Sequence, residues 1–159
     1  MDSDRALLAE LLPRLTQLSR TFNRGRLVEH AITASGLGLD QPSVSILTAL
    51  QLAGEPLRIG EIASRLQVVG PHVTRQVQAL EKRGLVRRVT DPADQRARLI
   101  APTDAGTAAA EQYFGTMLGW FTEALAGWTA EDRSALGRLL GRFVDDLSAR
   151  MAALDDEPR

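Results

Sequence analysis

The forty residues 59–98 constrain this chain more than any other stretch. Val73, Val77 and Leu80 recur at i, i+4 and i+7, which sets an apolar stripe on one helix face and leaves His72, Thr74, Arg75, Gln78 and Lys82 on the others. Gly70 can cap that helix and Pro71 suits its first position, where a fixed φ helps and a missing N–H costs nothing. Lys82 and Arg83 favour the negative helix end, and Gly84 follows as the residue that can turn left-handed. The helix is therefore expected over residues 71–83. Upstream, Ile59, Ile62, Ala63 and Leu66 mark a second short amphipathic helix, and Gln67-Val68-Val69-Gly70 has room only to turn the chain. Two short helices joined by a tight turn make a helix-turn-helix.

Residues 85–90 and 98–101 then read as two strands joined by the loop 91–97, a hairpin wing directly after the recognition helix. Four segments carry a family likeness: Val73-Thr74-Arg75, Leu80-Glu81-Lys82-Arg83-Gly84-Leu85-Val86, Asp91-Pro92-Ala93-Asp94-Gln95-Arg96, and LIAPTDAG from Leu99 to Gly106. On these residues the stretch resembles the MarR family of winged-helix transcription regulators. The wing pattern, two Asp three apart with an Arg two later, is specific when it follows a helix ending in LEKRGLV. The helical flanks match the family in order and length, so the resemblance covers nearly the whole chain.

At 159 residues and 44% hydrophobic content the chain can bury one good core. Aromatic residues are only 4%, and the richness in Ala and Leu is that of a helical protein. No cysteine is present, which excludes disulfides, thiolate metal sites and thiol redox sensing. His30 and His72 are the only imidazoles, so neither a zinc site nor any other cofactor is expected. No apolar run approaches a membrane span, and the start, MDSDRALLAE, is acidic rather than a secretion signal, so a cytoplasmic protein is expected. The net charge of −1 hides an asymmetry: residues 58–98 hold nine basic and four acidic side chains, a net of +5, against −6 elsewhere. Positive charge gathered on the helix-turn-helix is the footprint of an oriented DNA binder.

Taken in order, residues 1–34 carry a stripe from Leu8, Leu11, Leu12, Leu15, Leu18 and Phe22 into Leu27, Val28, Ala31 and Ile32, long enough for one extended helix. Pro13 either kinks it or leaves a separate first turn. A helix opens at Asp40 or Gln41, and Leu57-Arg58 can pair with the wing. Thr103 caps a helix through Tyr113, Met117 and Trp120; Thr129 and Asp132 start a last one carrying Leu136, Leu140, Phe143, Leu147 and Met151. The expected fold is mostly α with a small β-hairpin wing, about six helices in all. Residues 1–34 form an N-terminal dimerisation helix, 40–102 the winged helix-turn-helix head, 103–154 the C-terminal dimerisation helices, and 155–159 a frayed tail. The flanking helices carry more apolar surface than one head can cover, so a homodimer is expected. Its two recognition helices would lie ~34 Å apart on a pseudo-palindrome of double-stranded DNA. The resemblance implies the same architecture, and repression is the default output expected because a dimer of this size has room to occlude a promoter and no evident extra domain for polymerase contact.

For a helix in the major groove the candidate contacts are His72, Thr74, Arg75 and Gln78: Arg75 for a guanine or phosphate, Gln78 for an adenine edge, Thr74 for a thymine methyl or phosphate. His72 can equally cap its own helix. Arg96 would enter the adjacent minor groove, while Asp91 and Asp94 structure the wing and hold Arg96 or Arg98 in pose. Arg87 and Arg88 alternate on a strand, so only one of them, here Arg88, meets DNA. The resemblance also implies a small aromatic or amphipathic effector between the dimer helices and the head. Its candidate residues are Phe22, Arg26, His30 and Leu47, with Trp120 or Tyr113; plain core packing is the competing role for each. No cysteine nucleophile, phosphate loop or metal spacing supports an enzyme, and neither His has a sequence context that suggests a triad with a serine. The alternative is a winged-helix protein-interaction module, which would not need basic residues clustered on helix and wing.

Overall fold

The computed structural model describes residues 2–23 and 26–155, with the side chains of 5–21 and 27–154. Among the described residues it has seven helices and one hairpin: α1 (Asp2–Asn23), α2 (Arg26–Ser35), α3 (Gln41–Ala53), α4 (Ile59–Leu66), α5 (Gly70–Lys82), β1 (Val86–Thr90), β2 (Arg98–Pro102), α6 (Asp104–Ala124) and α7 (Ala130–Asp155). The single N-terminal helix expected over 1–34 is two, α1 and α2. Pro13 lies inside α1, which is helical on both sides of it. Of the tail expected to fray over 155–159, Asp155 is instead the last residue of α7, and 156–159 lie outside those described.

Two compact units divide the chain, Met1–Met117 and Leu118–Arg159. In the first, α3 begins where the Ser43 amide donates to Asp40 Oδ1 at 3.0 Å, and it ends at Gly54 with φ +68°. Glu61 Oε2 accepts the Arg58 backbone N–H at 2.6 Å, satisfying a donor at the α4 start. Val73, Val77 and Leu80 of α5 are each 0% exposed, as are Ile62 and Ile100, and Ile46 and Leu50 are 1% exposed in the same head. At about 1.5–3 kcal/mol for each large apolar side chain buried, this stripe is what holds a weakly helical segment in place.

The wing strands pair antiparallel, Arg88 opposite Ile100 and Thr90 opposite Arg98. Leu57 extends the ladder with two bonds to Ile100, its N–H donating at 3.0 Å and its C=O accepting at 2.8 Å. Thr103 then fastens the start of α6: its hydroxyl donates to the Gly84 carbonyl at 2.6 Å and accepts the Gly106 amide at 3.1 Å. A Cβ on Gly106 would collide with the Leu85 carbonyl, so only glycine allows α6 to lie this close to the turn before the wing. With Ala109, Ala110 and Tyr113 also buried, the first half of α6 belongs to the head's unit. In the second unit the Asp132 amide donates to Thr129 Oγ1 at 3.1 Å at the start of α7, and no side chain from 130 to 154 is buried. Among the described residues no helix is long and apolar enough to cross a membrane.

Candidate nucleic-acid interface

With Val73, Val77 and Leu80 turned inward, geometry decides what α5 presents outward. Arg75 and Gln78 are exposed; His72 and Thr74 are half-buried. The Thr74 hydroxyl donates to the Gly70 carbonyl at 3.1 Å, which leaves its methyl as the outward chemistry. Val69, rather than Gly70, occupies the N-cap, and its carbonyl accepts the His72 amide at 3.1 Å. Gln67 makes the sharp turn before it with φ +55° and is the one non-glycine residue with positive φ among those described.

The basic cluster separates into groups with different employment. The Arg83 guanidinium donates to the Gly38 carbonyl at 2.9 Å, tying the end of α5 to the loop before α3. Arg88 Nε donates to Glu81 Oε2 at 3.1 Å, an ion pair between β1 and α5. Arg98 Nη1 folds back on the wing, donating to the Gln95 carbonyl at 3.0 Å and Thr90 Oγ1 at 3.2 Å. Arg88 and Arg98, expected on DNA, thus have protein partners through part of each guanidinium. Arg75 and Arg96 are exposed and belong to none of the ion pairs found among the described residues.

At the wing base Asp91 is 6% exposed and accepts three bonds. Arg58 Nε donates to Oδ2 at 3.1 Å, Arg58 Nη2 to the same oxygen at 2.5 Å, and the Ala93 amide to Oδ1 at 2.8 Å. The Arg58 guanidinium, and after it the Ala93 amide, hold the Asp91 carboxyl below the usual carboxylate range. Asp94 Oδ1 accepts the Arg96 amide at 3.0 Å, and the Ala97 amide closes onto the Asp94 carbonyl at 2.9 Å. From sequence, Arg58 stands out only as one of the basic charges and as part of a short strand beside the wing, not as a partner of Asp91. A partner 33 residues away leaves no local spacing to read.

A cavity of about 390 Å³ opens beside the head, walled by Val28, Val44, Thr48, Leu52, Arg65 and Tyr113 among others. Burial pushes the Tyr113 phenol up. Of the expected effector residues, His30 is exposed on α2. Leu47 is 2% exposed, lies next to Gly106 and is not in the wall of the cavity. Trp120 is half-buried in the second unit, while the side chains of Phe22 and Arg26 lie outside those described.

Comparison with known proteins follows this geometry closely. The MarR family profile matches residues 39–97, the stretch from the start of α3 to the end of the wing loop. The HTH-type transcriptional regulator YwoH of Bacillus subtilis is 34% identical over 107 residues, covering 67% of this chain and 77% of that protein. The chain belongs to the MarR family. Its likeness extends to solved members in fold. A MarR family protein from Bacillus stearothermophilus superposes with TM-score 0.72 at 21% identity, over 93% of this chain and 98% of that one. A mutant S. aureus MepR bound to an oligodeoxyribonucleotide matches with TM-score 0.57 at 21% identity, over 84% and 97%. As a MarR-family member the chain is a DNA-binding winged-helix transcriptional regulator.

Proposed function

We propose that this MarR-family chain is a homodimeric repressor that binds a pseudo-palindromic operator in double-stranded DNA and is released or retained by a small aromatic or amphipathic effector. The observation that carries the DNA reading is α5 itself: three inward side chains at 0% exposure lock it to the head while Arg75 and Gln78 stand out from its opposite side. Arg75 would take a guanine or phosphate, Gln78 an adenine edge, the Thr74 methyl a thymine, and His72 a contact at the helix start. Arg96 would reach the minor groove from the tip of a wing that Asp91 and Asp94 hold in shape. Arg88 and Arg98 join this interface mainly as positioning residues, since each is already bonded within the protein.

Dimerisation is supported by the apolar side chains that a single chain leaves in water. On α7 these are Leu136, Leu140, Phe143, Leu147 and Met151, from 39% to 51% exposed, and α1 adds Leu8 and Leu12. A dimer covering a promoter represses by occlusion, acting in the cytoplasm where the DNA lies. The effector reading is supported by the largely apolar cavity beside the head, whose size suits a small organic molecule.

Selection of the purified protein against random duplex DNA at near-physiological salt tests the reading. Enrichment of an inverted repeat with half-sites about one turn, ~34 Å, apart is the expected result. Recovery of no motif, with binding abolished by modest salt, would replace it with a protein-directed winged helix.

A further inference from the structure

Between Gln41 and Pro102, among the described residues, three large apolar side chains are exposed to water: Leu52, Val68 and Val69. Leu52 belongs to the wall of the cavity beside the head, and Val68 shares a second hollow with Ile46, Leu66 and Val73. Val69 lines neither and is 70% exposed.

Its position makes that exposure doubly unfavourable. Val69 is the N-cap of α5, where a side-chain oxygen would accept one of the free amides of the first turn. Valine has no such oxygen, and α5 has no side-chain cap bond. Two other helices show what is forgone: Asp40 accepts the Ser43 amide at 3.0 Å, and Thr103 accepts the Gly106 amide at 3.1 Å. A serine at 69 would cap the helix and put less apolar surface in water. Stability therefore gives no reason for valine here, and a local rule broken at an exposed position points to a binding role.

The backbone on either side holds Val69 in place. The Val68 amide donates to the Ala63 carbonyl at 3.0 Å, and the Val69 carbonyl accepts the His72 and Val73 amides at 3.1 and 3.4 Å. A β-branched side chain is also stiff at χ1, so its methyls stand at the start of α5 already ordered. Residues at this end of a recognition helix reach base edges in the major groove. There every group but one asks for a hydrogen bond, which valine cannot give. The exception is the C5 methyl of thymine.

We propose that Val69 is a specificity-determining residue, packing its methyls on the C5 methyl of one thymine in each half-site, alongside Arg75 and Gln78. What it reads is the methyl itself, so this position separates thymine from uracil and not only A·T from G·C. The inference rests on the DNA reading of α5 and adds to it a residue and a base that hydrogen-bond matching does not supply.

The test uses the full chain and the inverted-repeat duplex enriched from random DNA. Each thymine is replaced in turn, in both half-sites, by uracil, which removes the methyl and keeps every hydrogen-bonding group. At one position the parent protein is expected to bind about tenfold more weakly, from about three- to fourfold for each lost methyl contact. Val69→Ala should weaken binding to the thymine duplex by a similar factor and show no further penalty for uracil at that position. Val69→Ser should behave likewise on DNA while its thermal midpoint equals or exceeds the parent's, which separates the contact from the fold. Uracil penalties in Val69→Ala equal to the parent's at every position, or a lowered midpoint in Val69→Ser, would each overturn the assignment. A specific operator indifferent to uracil would sink this inference alone. If no inverted repeat is enriched, the DNA reading of α5 fails and the role of Val69 falls with it.

Discussion

Arg58 and Asp91, 33 residues apart, are joined by two hydrogen bonds from one guanidinium to one carboxylate oxygen. Arg58 sits at the N-cap of α4 and Asp91 at the root of the wing loop, so the pair ties the helix-turn-helix to the wing. The same carboxylate's other oxygen takes the Ala93 amide and shapes the loop that carries Arg96. An exposed arginine thereby helps set the shape of the wing loop.

Arg58→Ala should accordingly loosen the wing more than it lowers stability. Hydrogen exchange at the Ala93 and Ala97 amides is expected to quicken. Operator affinity, measured by fluorescence anisotropy, is expected to fall about tenfold, the scale of one lost arginine contact. The thermal midpoint should fall only slightly, because the guanidinium side of the pair is half-exposed to water and Asp91 keeps its bond from the Ala93 amide. Unchanged exchange at both amides would show that the tie does not hold the wing.

The same pair sets a pH response. Because Arg58 and the Ala93 amide depress the folded-state pKa of Asp91, its contribution is present above the ordinary aspartate value, ~3.9. It is lost as pH falls through the depressed value. An NMR titration of the Asp91 carboxyl carbon should give a midpoint below that of an ordinary aspartate in the parent protein. In Arg58→Ala the midpoint should be higher, and equal midpoints in the two proteins would refute the assignment.

Gly106→Ala addresses the close approach of α6 to the head. The added Cβ meets the Leu85 carbonyl, which is backbone and is itself held by the Thr103 amide at 3.1 Å, so it cannot easily yield. A loss of ~3 kcal/mol is expected in urea unfolding. Gly115→Ala, where a Cβ meets open space, should instead be neutral or stabilising.

On the DNA face, Arg75 and Arg88 should part company. Arg75→Ala is expected to cost about 1–3 kcal/mol in discrimination between the selected operator and scrambled DNA. Arg88→Ala should lower affinity for both alike and by less, since its Nε is already on Glu81. Glu81→Gln should free Arg88 and steepen the salt dependence by about one phosphate contact. If Arg75→Ala left the preference intact, the assignment of α5 contacts would be wrong.

For the dimer, Leu140→Glu combined with Phe143→Glu places two charges in the α7 stripe. Sedimentation equilibrium should shift from twice the chain mass of 17.3 kDa to the single chain. Operator affinity should drop with it, because two half-sites are no longer read together. A mass unchanged by both substitutions would move the interface elsewhere.

What residue order alone determined here is local. The Val73–Val77–Leu80 period, the Pro71 start and the Gly84 stop define α5 to within a residue, because helix periodicity and capping act over four residues or fewer. The family motif, likewise contiguous, was legible for the same reason. Tertiary structure decided which side chains were left for function. Arg58, Arg83 and Arg88 looked alike as charges, yet each is spent on a partner from another element. Leu47, which sequence left open between pocket and core, lies in the core, while the Thr48 hydroxyl beside it is buried in a cavity wall without a protein partner. Those outcomes depend on which surfaces meet across dozens of residues, and no short-range pattern encodes that meeting.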